Sequence, residues 1–226
     1  MKNKVCASII TYNIDEKIIE VTNSIINQVE YDNIIQGQNQ IVADAISFYQ
    51  QPKLLVNNPA IRYIYFLPKL HKDIVDWRTQ YYHPKMRPII SDTNSITYNL
   101  SRYLLPHLQV IEQRITTVIP SSLALAHNIN RLNKENVLFE KPLLATLDVE
   151  SLFTRICQFK LLEIVNNLLI QYDYSEEARL KFMKYLVNIV RSNTFQVNGQ
   201  YVLQNIGLPM GGPLSSCLAN IYLSEL

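Results

Sequence analysis

Two segments of the chain contain residue types that could carry out phosphoryl-transfer chemistry. The apolar run at residues 143–149 includes a carboxylate, Asp148, and the later segment 207–213 reads G-L-P-M-G-G-P. Mg²⁺ prefers carboxylate and carbonyl oxygens, so Asp148 with the carbonyl of Val149 could form one side of a two-metal site for nucleotidyl transfer. Glycines allow a backbone to approach a substrate closely. The alternatives are an aspartate that caps a turn and a tight turn from a hairpin into a helix.

A third group of candidate residues is basic. Residues 62–102 contain seven Lys or Arg and three Asp or Glu, a local charge of +4, whereas the whole chain has a net charge of +2. This pattern favours a phosphate-facing surface, with a solvated face as the alternative. Within it, Arg87 precedes Pro88, which holds the backbone extended. Because a guanidinium can bind phosphate oxygens through two hydrogen bonds, we predict that Arg87 binds a triphosphate; the alternative is an ordinary surface arginine.

Short strands are predicted to position these groups. Residues 62–67 and 86–91 are β-prone and could form a small basic sheet, while residues 143–149 are typical of a strand buried on both faces. The Asn198-Gly199 pair between two alternating runs predicts a β-hairpin, followed by the Gly-rich turn and a final helix. The resulting fold class is α+β.

Helices are predicted around these strands from caps and apolar spacing. Asp15 caps a first helix that includes Ile25 and Ile26 and is broken by residues 36–39, and a second helix follows to Tyr49. Asn94 or Ser95 is predicted to cap a helix that reaches about residue 114 and is kinked at Pro106, and Ser121 to cap one through residue 132. Two more helices are predicted, one after Thr154 to about residue 171 and one from Ser175 to residue 191.

Five segments in a fixed order resemble the reverse transcriptases of Penelope-like retroelements. They are L-P-K-L-H-K at residues 67–72, R-P-I-I-S at 87–91, the Asp148 run, the hairpin at 193–201 and the Gly-rich segment, and they are spread across about 160 residues. The resemblance implies an RNA-directed DNA polymerase with a right-hand fingers and palm fold. It places an N-terminal helical region at residues 1–60 and a partial reverse transcriptase domain at residues 61–226.

The resemblance also implies ligands and partners. It makes Asp148 the catalytic residue and, with Val149, a ligand of Mg²⁺ in a two-metal site. It makes an RNA template, a DNA primer and deoxynucleoside triphosphates the partners. Because the chain ends at Leu226, before the aromatic-x-Asp-Asp turn of such polymerases, we expect an incomplete site and no primer extension. The alternative is a non-catalytic nucleic-acid-binding remnant of a retroelement.

Nucleotide contacts are implied for five residues: Arg87, Lys72, Phe153, Met210 and Gly211. Arg87 and Lys72 would hold the triphosphate, and the Phe153 ring would exclude a 2′-hydroxyl, unless it is an ordinary core phenylalanine. Met210 and Gly211 would lie nearest the base pair. The chain departs from the family's usual residues in four places, which loosens the turns concerned: Arg155, Cys157, Gly212 and Ser216.

Composition fits an intracellular protein. The three cysteines are widely spaced and match no metal-binding pattern, which favours a reducing compartment. No apolar run approaches the roughly 20 residues that span a bilayer. We therefore expect a soluble protein in the nucleus or cytoplasm, with no membrane partner.

Overall fold

A computed structural model describes residues 23–68, 86–135, 145–149 and 151–225. The described strands are β1 (Asn23–Ile26), β2 (Ile64–Pro68), β3 (Met86–Ile90), β4 (Thr194–Val197) and β5 (Gln200–Gln204). The described helices are α1 (Gln28–Tyr49), α2 (Tyr98–Gln113), α3 (Ser122–Lys134), α4 (Leu152–Arg155), α5 (Gln158–Gln171), α6 (Glu176–Arg191) and α7 (Ser215–Leu223), with a 3₁₀ turn at Pro52–Leu54. The described part is therefore a mixed α+β structure with small antiparallel sheets.

The predicted hairpin is confirmed. Strands β4 and β5 pair antiparallel around Asn198 and Gly199, both with positive φ, as a type I′ turn requires. β1 pairs antiparallel with β5 and completes a three-stranded sheet in the order β1-β5-β4. The predicted two-stranded sheet is also present, because β2 pairs antiparallel with β3. A single bridge from Tyr63 to Gln196 connects it to β4.

A helical layer forms the main core. α5 packs against α6 and α7, α2 packs against α7 and α6, and α1 lies against α6. Their contact is made by buried aliphatic side chains at helical spacing, as the periodicity predicts; examples are Leu104, Leu108, Leu161, Leu186 and Leu218. This layer supports the segment at residues 205–214, which leads into α7.

Two predicted helix starts are confirmed by their caps. The hydroxyl of Ser121 accepts a hydrogen bond from the Ala124 amide, and that of Ser175 accepts one from Ala178. α2 begins later than predicted, at Tyr98, because the Ser95 hydroxyl donates to Asp92 and does not cap the helix. No residue of α3 is buried, so α3 adds nothing to the core among the described residues.

The prediction for the first helix is wrong where the structure describes it. Ile25 and Ile26 belong to β1, because pairing with β5 satisfies their backbone groups. α1 starts after them with a capping box between Asn27 and Glu30. It also runs through residues 36–39, since the apolar face that it buries outweighs the cost of about 1 kcal/mol for a glycine in a helix. In the described ranges, no helix is long and apolar enough to cross a membrane.

Candidate nucleotide site

The Gly-rich segment is fixed to α4 at its first glycine. Gly207 has a φ of +81°, and a Cβ there would lie 2.5 Å from the Phe153 carbonyl oxygen and 2.8 Å from the Thr154 Cα. The amide of Gly207 donates to the Ile156 carbonyl at 2.9 Å, and that of Leu208 donates to the Phe153 carbonyl at 2.6 Å. Both the backbone conformation and the close approach therefore require glycine at this position.

The same segment is in contact with β3 at its other end. A Cβ on Gly211 would collide with the carbonyl oxygen of Ile90 and lie 3.3 Å from the Ile89 Cγ2. Arg87 is on this strand, opposite Leu67 of β2, and its side chain is exposed. The segment thus packs against both the short helix that contains Phe153 and the strand that carries Arg87.

Internal hydrogen bonds hold the turn between the two glycines. The Ser215 hydroxyl donates to the Pro209 carbonyl at 2.6 Å, and the Gly211 amide donates to the same carbonyl at 2.8 Å. The buried Gln158 amide donates to the Gly207 carbonyl at 2.9 Å. Sequence reasoning missed Gln158, because a glutamine at the start of an amphipathic helix carries no signal that it will contact a residue 49 positions away.

The other residues predicted to contact a nucleotide differ in how far they are buried. Phe153 is partly buried and packs against the main core, so it contacts both the core and the Gly-rich segment, and the gate and core interpretations both stay open. Met210 is half-buried and Gly211 is exposed, so both are accessible to a ligand. Lys72 lies outside the described residues.

The prediction of a buried strand around Asp148 is wrong for the residues described. Residues 145–149 have no regular secondary structure and are exposed, with Leu147 at 99% and Val149 at 48%. A strand buries its polar backbone only by pairing with a neighbour, and the described strands pair only among themselves. Asp148 is therefore an exposed carboxylate in an irregular segment that leads into α4.

Oxygen donors for a cation are few in the described ranges. Asp148 and the Val149 carbonyl are donors of the kind that Mg²⁺ accepts. Across those ranges, however, no three His, Cys, Asp or Glu side chains form a group that could hold a metal ion. One carboxylate and one carbonyl fit one side of a cation site, and they are too few for the two cations that phosphoryl transfer uses.

Arg62 changes the interpretation of the basic segment. Its guanidinium is buried, with Nε 2.5 Å from Asp92 Oδ1 and Nη2 2.7 Å from Thr97 Oγ1. Arg62, which precedes β2, is thus committed to an internal ion pair with Asp92 after β3 and to a hydrogen bond with Thr97 at the start of α2. It does not face phosphate, whereas Arg87 and Arg102 are exposed. A pair separated by 30 residues cannot be recognised from one sequence.

No family model, curated protein or solved structure matches this chain. The resemblance to reverse transcriptases therefore rests on the five motifs.

Proposed function

We propose that the chain is part of an RNA-directed DNA polymerase of the Penelope-like type. Its substrates are deoxynucleoside triphosphates, and its partners are an RNA template and a DNA primer. In this proposal Arg87 and Lys72 bind the triphosphate, Phe153 contacts the sugar, and Met210 with Gly211 lies against the new base pair. Asp148 and the Val149 carbonyl supply one side of the Mg²⁺ site.

The observation that carries the proposal is the double contact of the Gly-rich segment. Gly207 is packed against the Phe153 carbonyl, and Gly211 is packed against the Ile90 carbonyl, three residues from Arg87. Phe153 and the strand that carries Arg87 are far apart in sequence, and both are predicted to contribute to one nucleotide site. The same backbone turn packs against both of them.

The chain's own residues would bind and orient the nucleotide. The exposed guanidinium of Arg87 can donate two hydrogen bonds to phosphate oxygens, and the rigid turn at residues 207–211 offers a surface for the base and sugar. Mg²⁺, when bound, would neutralise phosphate charge. Positioning of this kind supplies much of the rate enhancement in phosphoryl transfer.

The test is nucleotide binding with a matched pair of arginine variants. A labelled deoxynucleoside triphosphate is titrated with the 226-residue chain in Mg²⁺, and binding is followed by fluorescence anisotropy. Arg87→Ala should weaken binding by about 10- to 100-fold, because this factor corresponds to the free energy of hydrogen bonds to a charged group. Arg102→Ala removes another exposed arginine and should change it less than about threefold. Equal losses in both variants would reduce Arg87 to one member of a diffuse basic surface.

A non-catalytic nucleic-acid-binding module is the second candidate, and one observation favours it. Tyr63 and Tyr65 are 58% and 39% exposed, with ring centroids 6.1 Å apart. They share a sheet face with Leu67, which pairs with the exposed Arg87. Aromatic rings beside a cation form a stacking platform for single-stranded nucleic acid.

This second function predicts a different pattern of binding. A single-stranded oligonucleotide should bind without Mg²⁺, with an affinity that falls steeply with salt. Tyr65→Ala should weaken it by about 5- to 150-fold, the value of one stacked base. The triphosphate titration should then show no dependence on Arg87.

A further inference from the structure

Two consecutive peptide units at the start of the Gly-rich segment are hydrogen-bonded at all four of their polar groups. The first unit joins residues 206 and 207, and the second joins residues 207 and 208. The side-chain amide of Gln204 donates to the Ile206 carbonyl at 3.1 Å, and that of Gln158 donates to the Gly207 carbonyl at 2.9 Å. The two N–H groups donate at 2.9 and 2.6 Å to carbonyls in α4 and directly after it.

The two glutamines are themselves buried and connected. Gln158 is 7% exposed and Gln204 is 5% exposed. The amide of Gln158 also donates to the main-chain carbonyl of Gln204 at 3.3 Å, and the side-chain oxygen of Gln204 accepts from the Asn193 amide at 2.6 Å. Each of these bonds is costly to break, because a buried polar group would lose its partner. Both side-chain amides therefore have a fixed orientation before any ligand binds.

The glycine between the two units gives these bonds a purpose. A glycine adopts positive and negative φ about equally well, so Gly207 by itself would allow the peptide units on either side of it to rotate. The ring of Pro209 fixes the next φ but one. A rotation at Gly207 would therefore displace Met210 and Gly211, the two residues of the segment that are predicted to lie against the base pair.

We propose that Gln158 and Gln204 are positioning residues of the nucleotide site. They do not contact the nucleotide; they select the one conformation of the turn that presents Met210 and Gly211 to it. A turn that is fixed in advance lowers the ordering cost of binding. The assignment rests on the proposed polymerase function, and it adds to the site two residues that none of the five motifs includes.

Hydrogen exchange at single amides, followed by NMR, tests the two glutamines separately. Gln158→Met keeps the length of the side chain and removes the donor to the second unit. Exchange of the Leu208 amide should then rise at least about fivefold relative to that of Leu104 in the core helix α2. Gln204→Met removes the donor to the first unit and should act mainly on the Gly207 amide. Taking the ratio to a core amide removes the effect of any change in global stability.

Gln38→Met is the matched control. Gln38 is also buried, and its amide donates to the carbonyl and the hydroxyl of Ser192, so the same substitution breaks two similar bonds outside the turn. It should lower the global stability and leave the ratio of Leu208 to Leu104 exchange within about twofold of its value in the unmodified chain. A ratio that rises equally in Gln38→Met and Gln158→Met, or in neither, overturns the proposal.

Nucleotide binding separates the positioning role from the polymerase proposal. In the titration with a labelled deoxynucleoside triphosphate, Gln158→Met should weaken binding at least about fivefold and Gln38→Met less than about twofold. Unchanged binding in a Gln158→Met chain whose turn exchanges faster would overturn the positioning role. If the unmodified chain binds no triphosphate, the proposed function fails together with any role at a nucleotide site, whereas the exchange ratio still decides whether the glutamines hold the turn.

Discussion

The turn at residues 207–211 and the segment at residues 145–149 are both predicted to carry site residues, but only the turn is packed against other elements. The turn is held from both ends, by Phe153 and by Ile90, and its first glycine is buried. The segment around Asp148 is exposed along its whole described length. Close backbone packing thus fixes a segment by itself, whereas an apolar run is fixed only when another strand or helix covers it.

This difference divides the candidate site into two halves. On the nucleotide side, Arg87, Phe153 and Met210 are attached to packed elements before any ligand arrives. On the metal side, Asp148 lies on a segment that the described elements do not cover. A preorganised nucleotide side lowers the ordering cost of binding. Nucleotide contacts should therefore be measurable in the chain as it stands, independently of metal chemistry.

Replacing the first glycine of the turn should have the largest effect on stability. Gly207→Ala forces a positive φ on alanine and places its Cβ 2.5 Å from the Phe153 carbonyl oxygen. Backbone strain and overpacking each cost about 1–3 kcal/mol, so we expect a loss of about 4 kcal/mol in the free energy of unfolding, measured by urea titration.

Gly37 provides the control for this substitution. It lies within α1, and nothing stands within 4 Å of a Cβ built there. Gly37→Ala should therefore stabilise the protein by about 0.5–1 kcal/mol through helix propensity. If Gly207→Ala proves as mild as Gly37→Ala, the turn is not held as tightly as the contacts with Phe153 require, and the contrast between the two regions fails.

Local signals account for the parts of the fold that could be predicted. The Asn198-Gly199 hairpin and the helix caps at Ser121 and Ser175 each depend on residues within a few positions of one another, whereas the Gly-rich turn also needs the distant contacts of Gly207 with Phe153 and of Gly211 with Ile90. The ion pair between Arg62 and Asp92 and the bond from Gln158 to Gly207 depend on distant partners, and one sequence does not reveal them. The error at residues 145–149 has the same origin, because burial of a strand depends on neighbours that its own sequence does not specify.

Acid should weaken the polar contact between α1 and α6. Asp44 on α1 accepts hydrogen bonds from Lys184 at 2.9 Å and from Tyr185 at 3.0 Å on α6. The bond from Lys184 is the main cause that lowers the pKa of Asp44 below 3.8. Since the folded pKa is depressed, this stabilisation is fully present above about pH 4 and is lost as the pH falls through the lowered value.

The matching variant is Asp44→Asn. We expect it to reduce the free energy of unfolding by about 1 kcal/mol at pH 7, because a partly exposed charge network is worth no more than this. The difference from the unmodified chain should disappear in acid, below the lowered pKa of Asp44. Urea titrations at pH 7 and at successively lower pH measure it. A difference that persists unchanged at the lowest pH would mean that packing, and not charge, joins α1 to α6 here.

The smallest expected effect tests the exposed side directly. Leu147 is 99% exposed, whereas Leu161 in α5 is fully buried, so the same substitution at the two positions separates covered from uncovered leucines. Leu161→Ala should cost about 2–5 kcal/mol, and Leu147→Ala should stay within about 0.5 kcal/mol, both measured by urea titration. The reason is that an exposed side chain loses no buried area and leaves no cavity.

A cost above about 2 kcal/mol at Leu147 would show that residues 143–149 form the buried strand that their sequence predicts. Asp148 would then end a fixed strand, and the metal side of the site would be as well positioned as the nucleotide side.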